Sequence, residues 1–233
     1  MKVIAIIPAR SGSIRLKNKH RLKLGGKPLI NWTINFVSKL KFLDDIILST
    51  DDRYIIKKNK NNKLIKIFIR PKNLIGKNIK TIDVIFDVIK KYEKKFGKIQ
   101  TVILFQATSP FRSKKKVNLA YKKYINLKMK KSIISVSVSI SKNKRDFIIS
   151  NNKLEVFKKG KFINKKKYQF NGNFYIANKK FLNKHKSFFS IKKTFPLILK
   201  SRQLSIDIDT KKDFTLAKTL LYKNSSNKIL NYA

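Results

Sequence analysis

Arg10, Ser13, Arg15, Lys17 and Lys19 fall in one polar stretch that begins where the β-branched run Val3–Ile7 ends. A guanidinium offers phosphate oxygens a planar fork, and an ammonium a mobile point charge. Set beside the free backbone N–H groups at the carboxyl end of a strand, these cations can hold a triphosphate. They can also neutralise charge at phosphorus during a displacement. Composition alone leaves a plain lysine-rich surface loop as an equal reading. The loop is not a Walker A motif, because no Gly-Lys-Ser/Thr occurs at the required spacing, and it lacks the three glycines of a dinucleotide fingerprint.

A second cluster lies near the other end, in Ser205-Ile206-Asp207-Ile208-Asp209-Thr210. Read as a strand, it sends Asp207 and Asp209 to one side and Ile206 and Ile208 to the core. Two hard oxygen donors completed by a nucleotide's phosphates suit Mg²⁺. The bland alternative has one Asp capping the last helix and the other solvated. Between these clusters, Gln106-Ala107-Thr108-Ser109-Pro110-Phe111-Arg112 ends an apolar run with amide, hydroxyl and guanidinium groups. Gln106 there can pair with a nucleobase edge, although the segment is also an ordinary strand-to-helix connection. Asn171-Gly172 reads equally well as a turn. His20 and His185 have no Cys or carboxylate at ligand spacing, which argues against zinc.

Composition sharpens these choices. The net charge of +45 invites a nucleic-acid reading. The lysines are not patterned, however: they occupy solvated positions throughout, as in Lys90-Lys91, Lys94-Lys95 and Lys114-Lys115-Lys116. No specific nucleic-acid partner is therefore expected, only weak, salt-sensitive adhesion. Against that background the twelve acids stand out, and nine of them gather at Asp44-Asp45, Asp51-Asp52, Asp83 with Asp87, and Asp207, Asp209 and Asp213. Zero cysteines, no apolar run of about 18 residues and no secretory apolar region near Met1 fit a cytoplasmic protein without a membrane span.

The elements that must position these groups alternate along the chain. Apolar runs near 2–7, 46–50, 65–69, 101–106 and 133–139 read as strands. Helical spacing covers 29–41, 52–61, 81–95 and 114–127, with Trp32, Phe36 and Leu40 on one face of the first. Such alternation predicts a single α/β domain over 1–233, with a mostly parallel, Rossmann-like sheet flanked by helices. After residue 140 the rhythm breaks into short strand-like pieces around Ser150-Asn151-Asn152 and Lys158-Lys159-Gly160-Lys161, which predicts a β-hairpin insertion over about 140–170. The chain returns through Phe174–Ala177. It closes with a helix from about 211 to 223, started by Asp209-Thr210, and a polar tail expected to fray.

Taken jointly, the segments resemble the CMP-N-acetylneuraminate cytidylyltransferase family, which activates nine-carbon acidic sugars. The resemblance rests on Ile7-Pro8-Ala9-Arg10-x-Gly12-Ser13, Lys17-Asn18-Lys19 and Gly26-Lys27-Pro28-Leu29. It continues through Leu48-Ser49-Thr50-Asp51-Asp52, Arg70-Pro71, Gln106-x-Thr108-Ser109-Pro110, Asn171-Gly172 and Ser205–Asp209. These motifs run through nearly the whole chain in family order.

The resemblance implies that CTP and an acidic nine-carbon sugar give a CMP-sugar and pyrophosphate. It casts Arg10 and Lys19 as the catalytic cations on the triphosphate. Ser13, His20, Arg70, Thr81 and Gln106 would contact the nucleotide, and Gln106, Thr108, Ser109 and Asn171 would line the sugar pocket. Asp207 and Asp209 would bind Mg²⁺. It also implies a homodimer joined through the hairpin insertion, with a partner's basic residue reaching the sugar carboxylate. The chain departs from the family at Ser11, where Gly is usual, at His20, where Asn is usual, and at Thr81, where Ser is common. Lys165-Lys166-Lys167 stands where an Arg-Gln pair is usual, and an Asp between Leu74 and Thr81 is missing. The resemblance leaves sialate, pseudaminate and legionaminate equal as substrates, and a non-catalytic nucleotide- or RNA-binding homologue stands as the alternative.

Overall fold

Residues of the first strand alternate between two cores. Val3, Ala5, Ile7 and Ala9 face one side of a central sheet, Ile4 and Ile6 the other, and all are buried. The structure, a computed structural model, describes residues 1–139, 146–157 and 165–226. In chain order it contains β1 (Lys2–Ala9), the short ribbon β2 (Lys23–Leu24) and β3 (Lys27–Pro28), and α1 (Leu29–Val37). Next come β4 (Asp45–Thr50), α2 (Arg53–Asn59), β5 (Lys66–Ile69), α3 (Thr81–Phe96), β6 (Ile99–Leu104) and α4 (Lys114–Asn126). The second half holds β7 (Ser132–Val138), β8 (Phe147–Ser150), β9 (Lys153–Val156), β10 (Tyr168–Asn178), α5 (Lys179–His185), β11 (Thr194–Ile198) and α6 (Lys211–Ser226).

The sheet order is β11-β7-β10-β6-β1-β4-β5. The β6-β1-β4-β5 half is parallel, and β11 is parallel to β7. Only β10 runs against its two neighbours on this path. A mostly parallel sheet needs helices on both faces. Ile30, Ile34 and Val37 of α1 join Val117, Ala120 and Tyr124 of α4 over one face. Ile85, Val88, Ile89 and Tyr92 of α3 join Phe181 and Leu182 of α5 over the other. A third, smaller core under α6 gathers Leu24, Leu29, Phe111, Ile206, Ile208 and Ala217.

The expected strands and helices in the first 140 residues are present within a few residues of their predicted bounds. The hairpin is present as β8 paired with β9, and β8 also touches β10 at Tyr168↔Phe147. Residues 140–145 and 158–164 of the insertion, with Lys158-Lys159-Gly160-Lys161, and the tail 227–233 lie outside the described residues. One expectation is corrected: Ile206–Asp209 is not a strand. A 3-10 turn over Gln203–Ser205 precedes an extended, unladdered segment. The side chains still alternate, with Ile206 and Ile208 buried, because extended backbone keeps a period of two without a sheet. The Ile208 N–H donates to the Thr108 carbonyl at 2.8 Å, tying this segment to the loop after β6.

No helix among the described residues is long and apolar enough to cross a membrane. Ile85 on α3 has no exposed surface and packs beneath the half of the sheet that carries the site. Ile85→Ala is expected to lower unfolding free energy by about 2–5 kcal/mol, read from the denaturant midpoint.

Candidate active site

The parallel strands β1, β4, β5 and β6 all end on one side of the sheet, and the residues that follow them build a cleft. Arg10 follows β1, Asp51 and Asp52 follow β4, Arg70 follows β5, and Gln106 lies just beyond β6. This is the carboxyl edge, where open α/β sheets place their ligands. The cleft, of about 260 Å³, is walled by Arg10, Ser13, Lys19, His20, Arg70, Thr81, Gln106 and Thr108, together with Asp207 and Asp209. The cationic turn and the two aspartates therefore face each other across one space. Lys17 is exposed and stands outside it.

Carboxylates hold the cationic turn in shape. Asp51 accepts bonds from both the backbone N–H of Ser11, at 2.9 Å, and the Ser11 hydroxyl. The serine that departs from the usual glycine thus gains a partner of its own. Asp52 caps α2 by accepting from the N–H groups of Tyr54 and Ile55 at 2.9 and 3.1 Å. The same carboxylate takes two bonds of 2.8 Å from Arg21. Burial works to raise its pKa, but the bonds from Arg21 and the helix backbone prevail and hold it below the usual carboxylate range. At the far side, Asp209 accepts from Lys19 and Arg15, each at 2.8 Å. Arg70 is buried, donates to the Ser49 carbonyl at 3.1 Å, and has its pKa lowered by desolvation.

Asp207 and Asp209 offer hard oxygen donors to the cleft, and among the described residues no group of three or more His, Cys, Asp or Glu is arranged to hold a metal ion. That donor set fits a divalent cation that completes its shell with phosphate oxygens and water, which is the habit of Mg²⁺. It does not fit an all-protein cage. Asp209 also accepts from Lys19, so a cation held there would share that carboxylate with the lysine.

The structure does not bring Ser109 and Asn171 to the cavity surface. Both are buried: Ser109 Oγ donates to the Asn171 carbonyl at 3.0 Å, and the Asn171 side-chain oxygen accepts from Ser135 Oγ at 2.6 Å. Gly172 takes the wall position instead, in a second cavity of about 450 Å³ that shares Gln106 and Asp207 with the first. Phe147, Phe170, Tyr175 and Phe189 supply its apolar wall, with Phe147 stacked on Phe170 at 4.6 Å. Sequence reasoning missed this wall, because each ring alone looks like a core residue. Gly172 sits at φ +72°, and a Cβ there would collide with the Gln106 carboxamide oxygen, so the junction of the two cavities requires glycine.

His20 is buried among Lys19, Arg70 and Arg10, and its Nδ1 has no hydrogen-bond partner. Desolvation, reinforced by those cations and opposed by Asp52, lowers its pKa to about 3, so the ring is neutral at pH 7. The unfolded chain takes up a proton below about 6.5 that the folded chain refuses until about pH 3. Stability should therefore fall as pH drops through that window. His20→Asn, which cannot titrate, is expected to lose less: on the order of 2 kcal/mol less between pH 6.5 and 4.5, measured by denaturant melts. Parallel pH profiles for the two proteins would refute a buried neutral ring.

Residues 4–232 match the model of a cytidylyltransferase family. The chain is 34% identical to a CMP-N,N'-diacetyllegionaminic acid synthase of Legionella pneumophila over 96% of its own length and 98% of the relative's. It is 28% identical to a pseudaminic acid cytidylyltransferase of Campylobacter jejuni, over 96% and 97% of the two chains. An N-acylneuraminate cytidylyltransferase of Escherichia coli is 31% identical over 98% of this chain, which spans about half (54%) of that longer protein. Among solved structures, a CMP:2-keto-3-deoxy-manno-octonic acid synthetase complexed with CTP shares the fold, with a TM-score of 0.76 at 12% identity over 96% of this chain and all (100%) of that one. The chain belongs to the cytidylyltransferase family, among the nucleotidyltransferases that act on nonulosonic acids.

Proposed function

We propose that this protein transfers CMP from CTP to the anomeric hydroxyl of a nine-carbon acidic sugar, releasing pyrophosphate. The observation that carries the reading is the shared wall. The cleft holding Arg10, Lys19, Asp207 and Asp209 meets the aromatic cavity at Gln106 and Asp207, so a nucleotide and a second substrate can lie end to end. The apolar rings suit a sugar edge that bears acyl or methyl groups, while polar atoms are confined to the junction. Sialate, legionaminate and pseudaminate all meet that description.

In this reading the sugar oxygen attacks the α-phosphorus, the hydroxyl proton is lost, and the bond to the β-phosphate oxygen breaks. Arg10 and Lys19 grip the triphosphate and offset the charge that builds on the departing oxygens. Ser13, Arg70 and Thr81 hold the nucleotide, with neutral His20 contributing a hydrogen bond but no charge. Gln106 and Thr108 orient the two substrates toward each other. Asp207 and Asp209 would hold Mg²⁺, which supplies Lewis-acid neutralisation of the phosphates. The working unit is proposed as a cytoplasmic homodimer joined through the 140–170 insertion, with the partner's lysines from the 165–167 run near the sugar carboxylate.

Incubation with CTP, Mg²⁺ and a panel of sialate, legionaminate and pseudaminate should release pyrophosphate with at least one of them. Silence across the panel over a range of pH would favour a homologue that binds without turning over. Asp209→Asn is expected to cut kcat by about a hundredfold or more while the protein stays folded, although the variant also loses the ion pairs to Lys19 and Arg15. Full activity in that variant would remove the metal assignment.

A further inference from the structure

A buried cation that lines neither cavity ties together the segments that form both. Arg112 is 4% exposed. Its Nε donates to the Asn173 carbonyl at 2.9 Å, and its two terminal nitrogens donate to Thr33 Oγ1 at 2.8 Å and to the Gln106 carbonyl at 2.6 Å. The rings of Phe36 and Phe105 flank the guanidinium, with centroids at 5.9 and 5.4 Å. Asn173 returns the contact: its Nδ2 donates to the carbonyls of Phe111, at 2.8 Å, and Leu204, at 3.0 Å.

Burial alone lowers the Arg112 pKa to about 9, which leaves it charged at neutral pH with no carboxylate among the described residues to offset it. A buried, unpaired charge is costly, and a Met or Leu would fill the same space without that cost. What an apolar residue cannot do is donate in three fixed directions at once. Two of the three acceptors belong to Gln106 and Asn173. These flank the junction of the cavities, where the Gln106 N–H also donates to the Gly172 carbonyl at 3.3 Å. The third, Thr33, anchors the assembly to α1.

We propose that Arg112, clasped with Asn173, is a positioning residue: by gripping the Gln106 main chain it aims the Gln106 side chain into the junction between the two cavities. The proposal rests on the enzymatic reading for its kinetic consequence and on geometry alone for the clasp itself. A displacement of about 1 Å at such a junction is enough to cost up to about a hundredfold in rate.

The test is a double-mutant cycle of R112K, Q106A and the pair, assayed by pyrophosphate release, with melting temperatures alongside. R112K should lower kcat by about tenfold or more in the parent background but by less than about threefold in Q106A, where the side chain it aims is gone. Should R112K not fold, N173A, which keeps the guanidinium, replaces it in the same cycle. Equal losses in both backgrounds, or none in either, would overturn the proposal. Amide exchange supplies the readout independent of turnover. R112K should speed exchange at Gln106 and Asn173 while Ile103 and Ile176 keep their protection. If the parent protein releases no pyrophosphate with any sugar, the enzymatic reading alone falls, and unchanged protection at Gln106 and Asn173 would then overturn the clasp.

Discussion

Everything at this site depends on holding cations together that would otherwise repel one another. Arg10, Lys19 and Arg70 share a cleft with a buried His20, in a chain whose net charge is +45. Coulomb repulsion between such groups is strong where water is scarce. The counterweight comes from carboxylates placed on three sides: Asp51 on the Ser11 end of the turn, Asp52 on Arg21, and Asp209 on Lys19 and Arg15. His20 yields its proton rather than add a further charge. An incoming triphosphate would supply the same relief from the open side, which is why a preassembled cation cluster favours an anionic ligand.

The remaining acids are almost all committed to structure. Asp44 accepts from the Val3 N–H at 2.7 Å and so fixes the start of β4 against β1. Asp45 pairs with Lys66 and Tyr92, joining β4 to β5 and α3. Asp213 and Thr210 cap α6 reciprocally, with bonds of 2.8 and 3.2 Å. A chain with twelve acids thus places them where a bond direction matters, and lets lysine occupy positions that need only solvation.

How much of this was legible in the sequence follows from the range of each interaction. The strands and helices up to residue 140 were readable because β1, β4, β6, α1 and α3 each carry their own period, which local packing preserves. The cationic turn and the aspartate pair were readable because unusual residue types cluster locally. β11 was not foreseen: Pro196 interrupts its pattern, and only its place at the sheet edge makes that proline acceptable. The 206–209 segment reads as a strand because extended backbone and sheet share a periodicity, and only a missing ladder separates them. The aromatic cavity was invisible for another reason. Phe147 of β8, Phe170 and Tyr175 of β10, and Phe189 after α5 come from three separate segments, and the topology alone makes them neighbours.

The excess of lysine has a physical consequence even though it carries no recognition pattern. Lys90, Lys94 and Lys95 on α3, and Lys114, Lys115 and Lys116 on α4, are all exposed on different elements. They sum to a field rather than a patch. At physiological ionic strength that field fades over about 8 Å, so it can draw anions toward the surface but cannot choose among them. CTP and an acidic sugar would both gain in encounter rate from it, as would any polyanion. Choice between them needs short-range directed bonds, and the directed cations, Arg10, Lys19 and Arg70, are those whose neighbours fix them at the carboxyl edge of the sheet. Selectivity in so basic a protein therefore resides in the few charges that are held, not in the many that are free to move.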